Sequence, residues 1–173
     1  MEQVYDMIMM AVPAIIVFFT TFYILKKFFE NEEKKRNMEL RRNSLQSVMP
    51  IRLQAYERMI LFLERISPEN LVMRVHKNSM SVSYFQQALL QHIRTEYEHN
   101  IAQQTYISSG AWEMVKRAKE ETIKLVNVAA SKVSDESNGM ALSKAIFSIT
   151  AEIEKKPTQI AIEFLKKEVR KLF

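Results

Sequence analysis

Cysteine is absent from the 173 residues, which removes disulfide frameworks, thiolate zinc sites and cysteine nucleophiles together. Glycine occurs twice, at Gly110 and Gly139, and proline four times, at Pro13, Pro50, Pro68 and Pro157. Tight hairpin turns, phosphate-cradling loops and nucleophile elbows rely on backbone at positive φ, which glycine supplies at no steric cost. So few glycines argue against a sheet-rich fold and against a Walker-type loop. No catalytic or cofactor-binding motif is present, so no enzyme activity and no cofactor is expected. Basic side chains are missing from residues 1–25, which carry only Glu2 and Asp6. What remains abundant is Met, Leu, Ala, Lys, Glu, Gln and Arg, all good helix formers. An all-α chain is expected.

The one long apolar run is MIMMAVPAIIVFFTTFYIL at 7–25, which has no ionisable side chain. Its nineteen residues would span about 28 Å as a helix, near the thickness of a bilayer's hydrocarbon core. Thr20 and Thr21 can return their hydroxyls to backbone carbonyls, and a proline kink at Pro13 is tolerated within a span. Tyr5 and Tyr23, with Phe22, Phe28 and Phe29, stand near its two ends as interfacial aromatics do. A cleaved signal peptide fits poorly, because no basic region precedes the run and no small-residue cleavage site follows it.

Residues 26–50 carry seven basic side chains against four acidic ones. Lys26, Lys27, Lys34, Lys35 and Arg36 stand close to the apolar run, followed by Arg41 and Arg42. This one-sided charge predicts the N-terminus outside and the remainder in the cytoplasm, as in a bacterial inner-membrane protein. Glu30 with Lys34 and Glu32 with Arg36 have the spacing of helical ion pairs, so a solvated helical stalk is expected, its cations also suited to anionic lipid headgroups. Residues 1–49 are thus expected to be anchor and stalk, and 50–173 a compact bundle of five to six helices.

Pro50 is expected to open a new segment, 51–66, where YERM at 56–59 and LERI at 63–66 repeat at seven residues and Leu53, Tyr56, Ile60 and Leu63 form an apolar stripe. Ser67, Pro68 and Glu69 mark a helix start. Lys77, Asn78 and Ser79 break the pattern, and Ser83 with Gln86 has capping-box spacing before a long helix to about Tyr106. Helices 111–133, about 140–156 and 157 to the C-terminus follow. The loop 134–139 separates the first two of these.

On the long helix His92, Glu96, His99 and Gln103 share one side, and Glu96 with His99 has the spacing of a di-iron ligand pair. A second such pair is missing, because Met73 stands three residues before His76. The row therefore admits a metal site using His92, Glu96 and His99, or a polar helix border or partner contact. Asn100 and Gln104 fall on the apolar stripe centred on Ile93. Either the helix leaves the core after Tyr97, or Asn100, Gln103 and Gln104 contact another helix or a partner and fix its register. The last helix carries Lys166, Lys167, Arg170 and Lys171 beside an apolar stripe, which suits packing on the core or lying on a membrane. Basic residues are interleaved with acids, so no nucleic acid partner is expected.

The strings LQAYERM at 53–59, FLERI at 62–66, SPENL at 67–71, EYEHN at 96–100 with Gln103 and Gln104, and PTQ at 157–159 through EFLKKEVR at 163–170 to Phe173 occur together. With the N-terminal run, they resemble a family of short uncharacterised single-pass inner-membrane proteins of Bacteroidota. The resemblance implies a bacterial inner membrane and carries no activity. The function expected is a membrane-tethered interaction module or accessory subunit that meets a protein partner or self-associates. A metal-dependent enzyme or sensor and a lipid-binding, membrane-shaping protein are the alternatives.

Overall fold

A computed structural model describes residues 2–77, 79–134 and 137–172; inside the first helix the side chains of residues 2–6, 8, 11, 12, 14 and 41–45 fall outside that description. The elements in order are α1 (Glu2–Ile66), α2 (Pro68–Val75), α3 (Val82–Asn100), a 3₁₀ turn (Ile101–Thr105), α4 (Ser109–Ser131), α5 (Gly139–Glu152) and α6 (Pro157–Arg170). Among the described residues there is no strand, only an isolated bridge between Ser81 and Asn138. The chain divides into two compact units, Met1–Met49 and Pro50–Phe173.

Helix α1 passes both Pro13 and Pro50 without a break, where a new segment was expected at Pro50. Proline removes one donor from the helical ladder, here the one that would serve the Gln46 carbonyl. Both residues are exposed, so water can take that acceptor. In the first unit, Lys27 pairs with Glu30 at 3.0 Å and Lys35 with Glu32 at 3.9 Å, in place of the expected Glu30–Lys34 and Glu32–Arg36 pairs. Exposed pairs exchange partners at little cost. Lys27 beside it holds the Glu30 carboxyl below the usual range. Among the described residues no helix is long and apolar enough to cross a membrane. The span expected at 7–25 includes Ile8, Ala11, Val12 and Ala14, whose side chains lie outside the described residues.

The second unit is built around α4, which packs on α3, α5 and α6. Its caps are local and differ in part from expectation. Ser81, rather than Ser83, caps α3 by accepting from the Tyr84 N–H at 3.2 Å, and Gln86 donates instead to Asn127 on α4 at 2.9 Å. Ser67 precedes Pro68 as expected, but its hydroxyl donates back to the Glu64 carbonyl and makes no side-chain cap. Ser108 and Asn138 cap α4 and α5. The N–H of Gly139 donates to the Met80 carbonyl at 2.8 Å; a Cβ at Gly139 would stand 3.3 Å from that oxygen, so the smallest residue suits this approach. Asn78, Asp135 and Glu136, in the two expected breaks, lie outside the described residues.

Tyr56, Met59, Phe62, Leu63 and Ile66 of α1 are buried with Phe85, Leu89 and Ile93 of α3 and Trp112 and Val115 of α4. The Tyr97 ring stacks on Trp112 at 5.4 Å, meets Phe62 at 6.1 Å, and carries the Lys119 ammonium over its face at 4.2 Å. Buried hydroxyls of Thr122, Ser143 and Thr150 donate to carbonyls one turn back in their own helices. Among the described residues no buried side-chain polar atom is left without a partner.

Three distant segments meet at one carboxylate. Glu168 of α6 accepts from the Tyr56 hydroxyl at 2.8 Å and from the Ser108 hydroxyl at 2.8 and 2.7 Å. The Ser108 N–H donates in turn to the Tyr56 oxygen at 3.3 Å, while its hydroxyl oxygen accepts from the Ala111 N–H. The cap of α4 is thereby tied to α1 and α6. Burial first, then the hydrogen bond to Glu168, pushes the Tyr56 phenol above its ordinary value. A raised phenol favours the folded state fully below pH ~10, and that contribution is lost as pH rises through the folded value. Tyr56→Phe should lower stability by about 1–2 kcal/mol at neutral pH and flatten the loss of stability above pH ~10. Urea denaturation followed by circular dichroism from pH 7 to 11 checks both; a variant as stable as the parent would show that the carboxylate does not join the helices.

Candidate functional site

Helix α3 carries the His/Glu row because its apolar positions Phe85, Leu89 and Ile93 are buried and the next row turns toward the border of the bundle. His92 and His99 are exposed. Glu96 is not: its side chain is 15% exposed and takes Arg65 of α1 at 2.9 Å and Arg74 of α2 at 3.8 Å. The Arg74 guanidinium also donates to the Arg65 carbonyl. The carboxylate that was a candidate metal ligand is therefore engaged by two guanidinium groups from neighbouring helices. Among the described residues no group of three or more His, Asp or Glu side chains is placed to hold a metal ion. Arg58, Arg65, Glu96, His99 and Asn100, with Leu61 and Phe62, line a small hollow of about 250 Å³. Its chemistry is that of an interhelical ion-pair junction.

Asn100 does not bond across to another helix. Its amide donates to the Glu96 carbonyl at 2.8 Å, one turn back in α3. Its backbone lies at φ −112°, ψ 0°, and the chain passes into the 3₁₀ turn. Of the two possibilities the sequence left open, α3 leaves the core after Tyr97. Gln103 is half-buried and Gln104 exposed on that turn, and the Gln103 carbonyl accepts from the Tyr106 N–H at 3.0 Å. Of the residues singled out on α3, the structure joins Glu96, His99 and Asn100 in one hollow and leaves His92 outside it.

A second surface was not anticipated. Between α1 and α6 runs an apolar groove of about 450 Å³, floored by Leu53, Tyr56, Ile60, Leu61 and Val169 and edged by Glu57, Lys166 and Arg170. Leu53 was expected in the core stripe but is 39% exposed, and Leu61 is 54% exposed. The signal was present in the sequence: residues 51–66 hold more apolar side chains than one buried stripe needs. Helix α6 buries Ala161, Ile162 and Leu165 and packs on α4, so its apolar stripe serves the bundle core. Its cations Lys166, Lys167 and Arg170 stay exposed.

The residues expected at a membrane border lie on α1. Tyr23 is 63% exposed, and Lys26, Lys27, Lys34, Lys35 and Arg36 are exposed as well. Tyr5 lies outside the described side chains.

Because Glu96 joins three helices, Glu96→Ala should destabilise the bundle by about 1–2 kcal/mol, whereas exposed His99→Ala should change stability by no more than about 0.5 kcal/mol. Asn100→Leu should fall between them, near ~1 kcal/mol, since its amide holds only its own helix. Chemical denaturation of the three variants ranks them; an Asn100→Leu loss exceeding that of Glu96→Ala would restore an interhelical role to the amide.

No curated protein and no solved structure matches the chain. A family model does match, over residues 2–172, and nearly the whole chain is covered. The chain belongs to a family of unknown function (DUF7935).

Proposed function

We propose that the chain is a membrane-tethered helical interaction module, in which the apolar start of α1 anchors a bundle that docks a protein partner. The observation that carries the tether is the run at 7–25: it has no ionisable side chain, it is helical, and its described large apolar side chains are 49–83% exposed. So much contiguous apolar surface facing water is unfavourable and calls for a partner phase. Lipid fits its length of about 28 Å and the absence of charge. The sequence resemblance to single-pass inner-membrane proteins points the same way, and the basic residues from Lys26 to Arg42 favour the bundle on the cytoplasmic side.

Support for a docking role, rather than for chemistry, comes from the second unit. It has a core of its own, and an apolar groove opens on its surface between α1 and α6. Glu96, which a metal site would need, is committed to Arg65 and Arg74.

Two fractionations test the tether. Full-length protein expressed in a bacterium should remain in the membrane pellet after extraction at alkaline pH, and a variant lacking residues 1–25 should be released. A reporter active only outside the cytoplasmic membrane, fused after Phe173, should stay silent. Complete alkaline release of the full-length chain would make the apolar run a protein contact and overturn the tether; an active reporter would invert the topology.

A further inference from the structure

The groove between α1 and α6 carries opposite charge on its two walls. Its α1 wall carries Glu57, and its α6 wall carries Lys166 and Arg170. All three are exposed. Facing one another across the same hollow, they form no ion pair within 4.0 Å; the ion pairs of the described residues lie elsewhere. The floor between them is apolar, and its neighbours Leu53 and Leu61 stand 39% and 54% exposed. Leu53, Tyr56, Glu57, Ile60 and Leu61 follow the spacing that places side chains on one face of a helix. That face therefore presents both a ridge, at Leu53 and Leu61, and one wall of a trough.

We propose that this groove is the self-association surface of the protein and that its occupant is the α1 ridge of a second copy of the same chain. An isologous contact brings one patch against itself, so the patch must be self-complementary. This one is, because it holds an acid on one wall and bases on the other, with apolar ridge and apolar trough between them. A two-fold axis parallel to the 50–66 part of α1 leaves every residue at its own height. Glu57 of one copy then stands level with Lys166 and Arg170 of the partner copy, and the reverse contact forms at the same time. The axis runs along the groove, so each α1 lies against the α6 of the partner copy and the two α1 ridges adjoin between them, a four-helix arrangement. A purely acidic partner would leave Glu57 against like charge, and an anionic amphiphile would do the same, whereas a second copy satisfies both walls. The proposal rests on the docking role given to the bundle above and names its partner.

The absence of cysteine makes the test direct. Leu61→Cys in the full-length chain, held in detergent micelles or native membranes, should form an intermolecular disulfide under mild oxidation, while Met73→Cys, at a 77% exposed position of α2, should not. Light scattering of the detergent-solubilised parent should give the mass of two chains. In the Leu61→Cys background, Glu57→Lys should reduce cross-linking by about tenfold through like-charge contact with the basic wall, and so should Lys166→Glu with Arg170→Glu. All three reversals together should restore it, which a non-specific apolar association would not do. A parent of one-chain mass, equal cross-linking at Met73→Cys, or no recovery in the triple variant overturns the proposal. In that event maleimide labelling of Leu61→Cys in native membranes separates the two levels. Protection from the label keeps the docking role with a different protein, and free labelling removes that role as well.

Discussion

The Glu168 carboxylate is the point on which the bundle's arrangement depends. A helix end leaves backbone N–H groups without partners, and Ser108 supplies one acceptor to α4. Its hydroxyl proton must then go to another acceptor, and only a negatively charged oxygen held nearby makes that contact strong. Glu168 accepts it together with the Tyr56 hydroxyl. One charge on the last helix therefore fixes where α4 begins and how the 50–66 part of α1 lies against both. Tyr56 is 2% exposed, so a phenol lacking this partner would be a buried, unsatisfied polar group.

A second carboxylate joins helices in the same way, with charged instead of neutral donors. Glu96 gathers Arg65 and Arg74 and so joins α1, α2 and α3. Between these two polar junctions the core is apolar and aromatic, with Phe62, Tyr97 and Trp112 in sequence across three helices. Helix α1 thus carries three duties over residues 50–66. One face is buried, a second bears Arg58 and Arg65 toward the Glu96 hollow, and a third presents Leu53 to the groove, with Leu61 on the border between the two hollows. That division explains why its sequence is too apolar for one stripe and too charged for a buried helix.

The polar row on α3 shows how spacing and chemistry part company. Glu96 and His99 have the separation of a ligand pair, and spacing alone is blind to what stands across from them. Two arginines distant in sequence reach the carboxylate, and the row becomes a junction. Asn100 is a parallel case. On a helical wheel its amide falls on the apolar stripe, but the wheel assumes the helix continues, and α3 ends at that residue.

Much was determined by the sequence alone. Scarce glycine and abundant helix formers dictated an all-α chain, because neither depends on contacts. Apolar periodicity located the helices, since the 3.6-residue repeat is a local property, and the run at 7–25 stands out by composition. What only the tertiary structure decided involves partners far apart in the chain. That α1 continues through Pro50 could not be read from the proline itself. The serine that caps α3, Ser81, is also the one bridged to distant Asn138. Tyr56, Ser108 and Glu168 lie far apart in sequence and carry no shared motif, and the groove exists only because α6 returns to lie beside α1. Local patterns record the helix a residue belongs to; the side chain that faces it across the bundle is set by the packing of the whole.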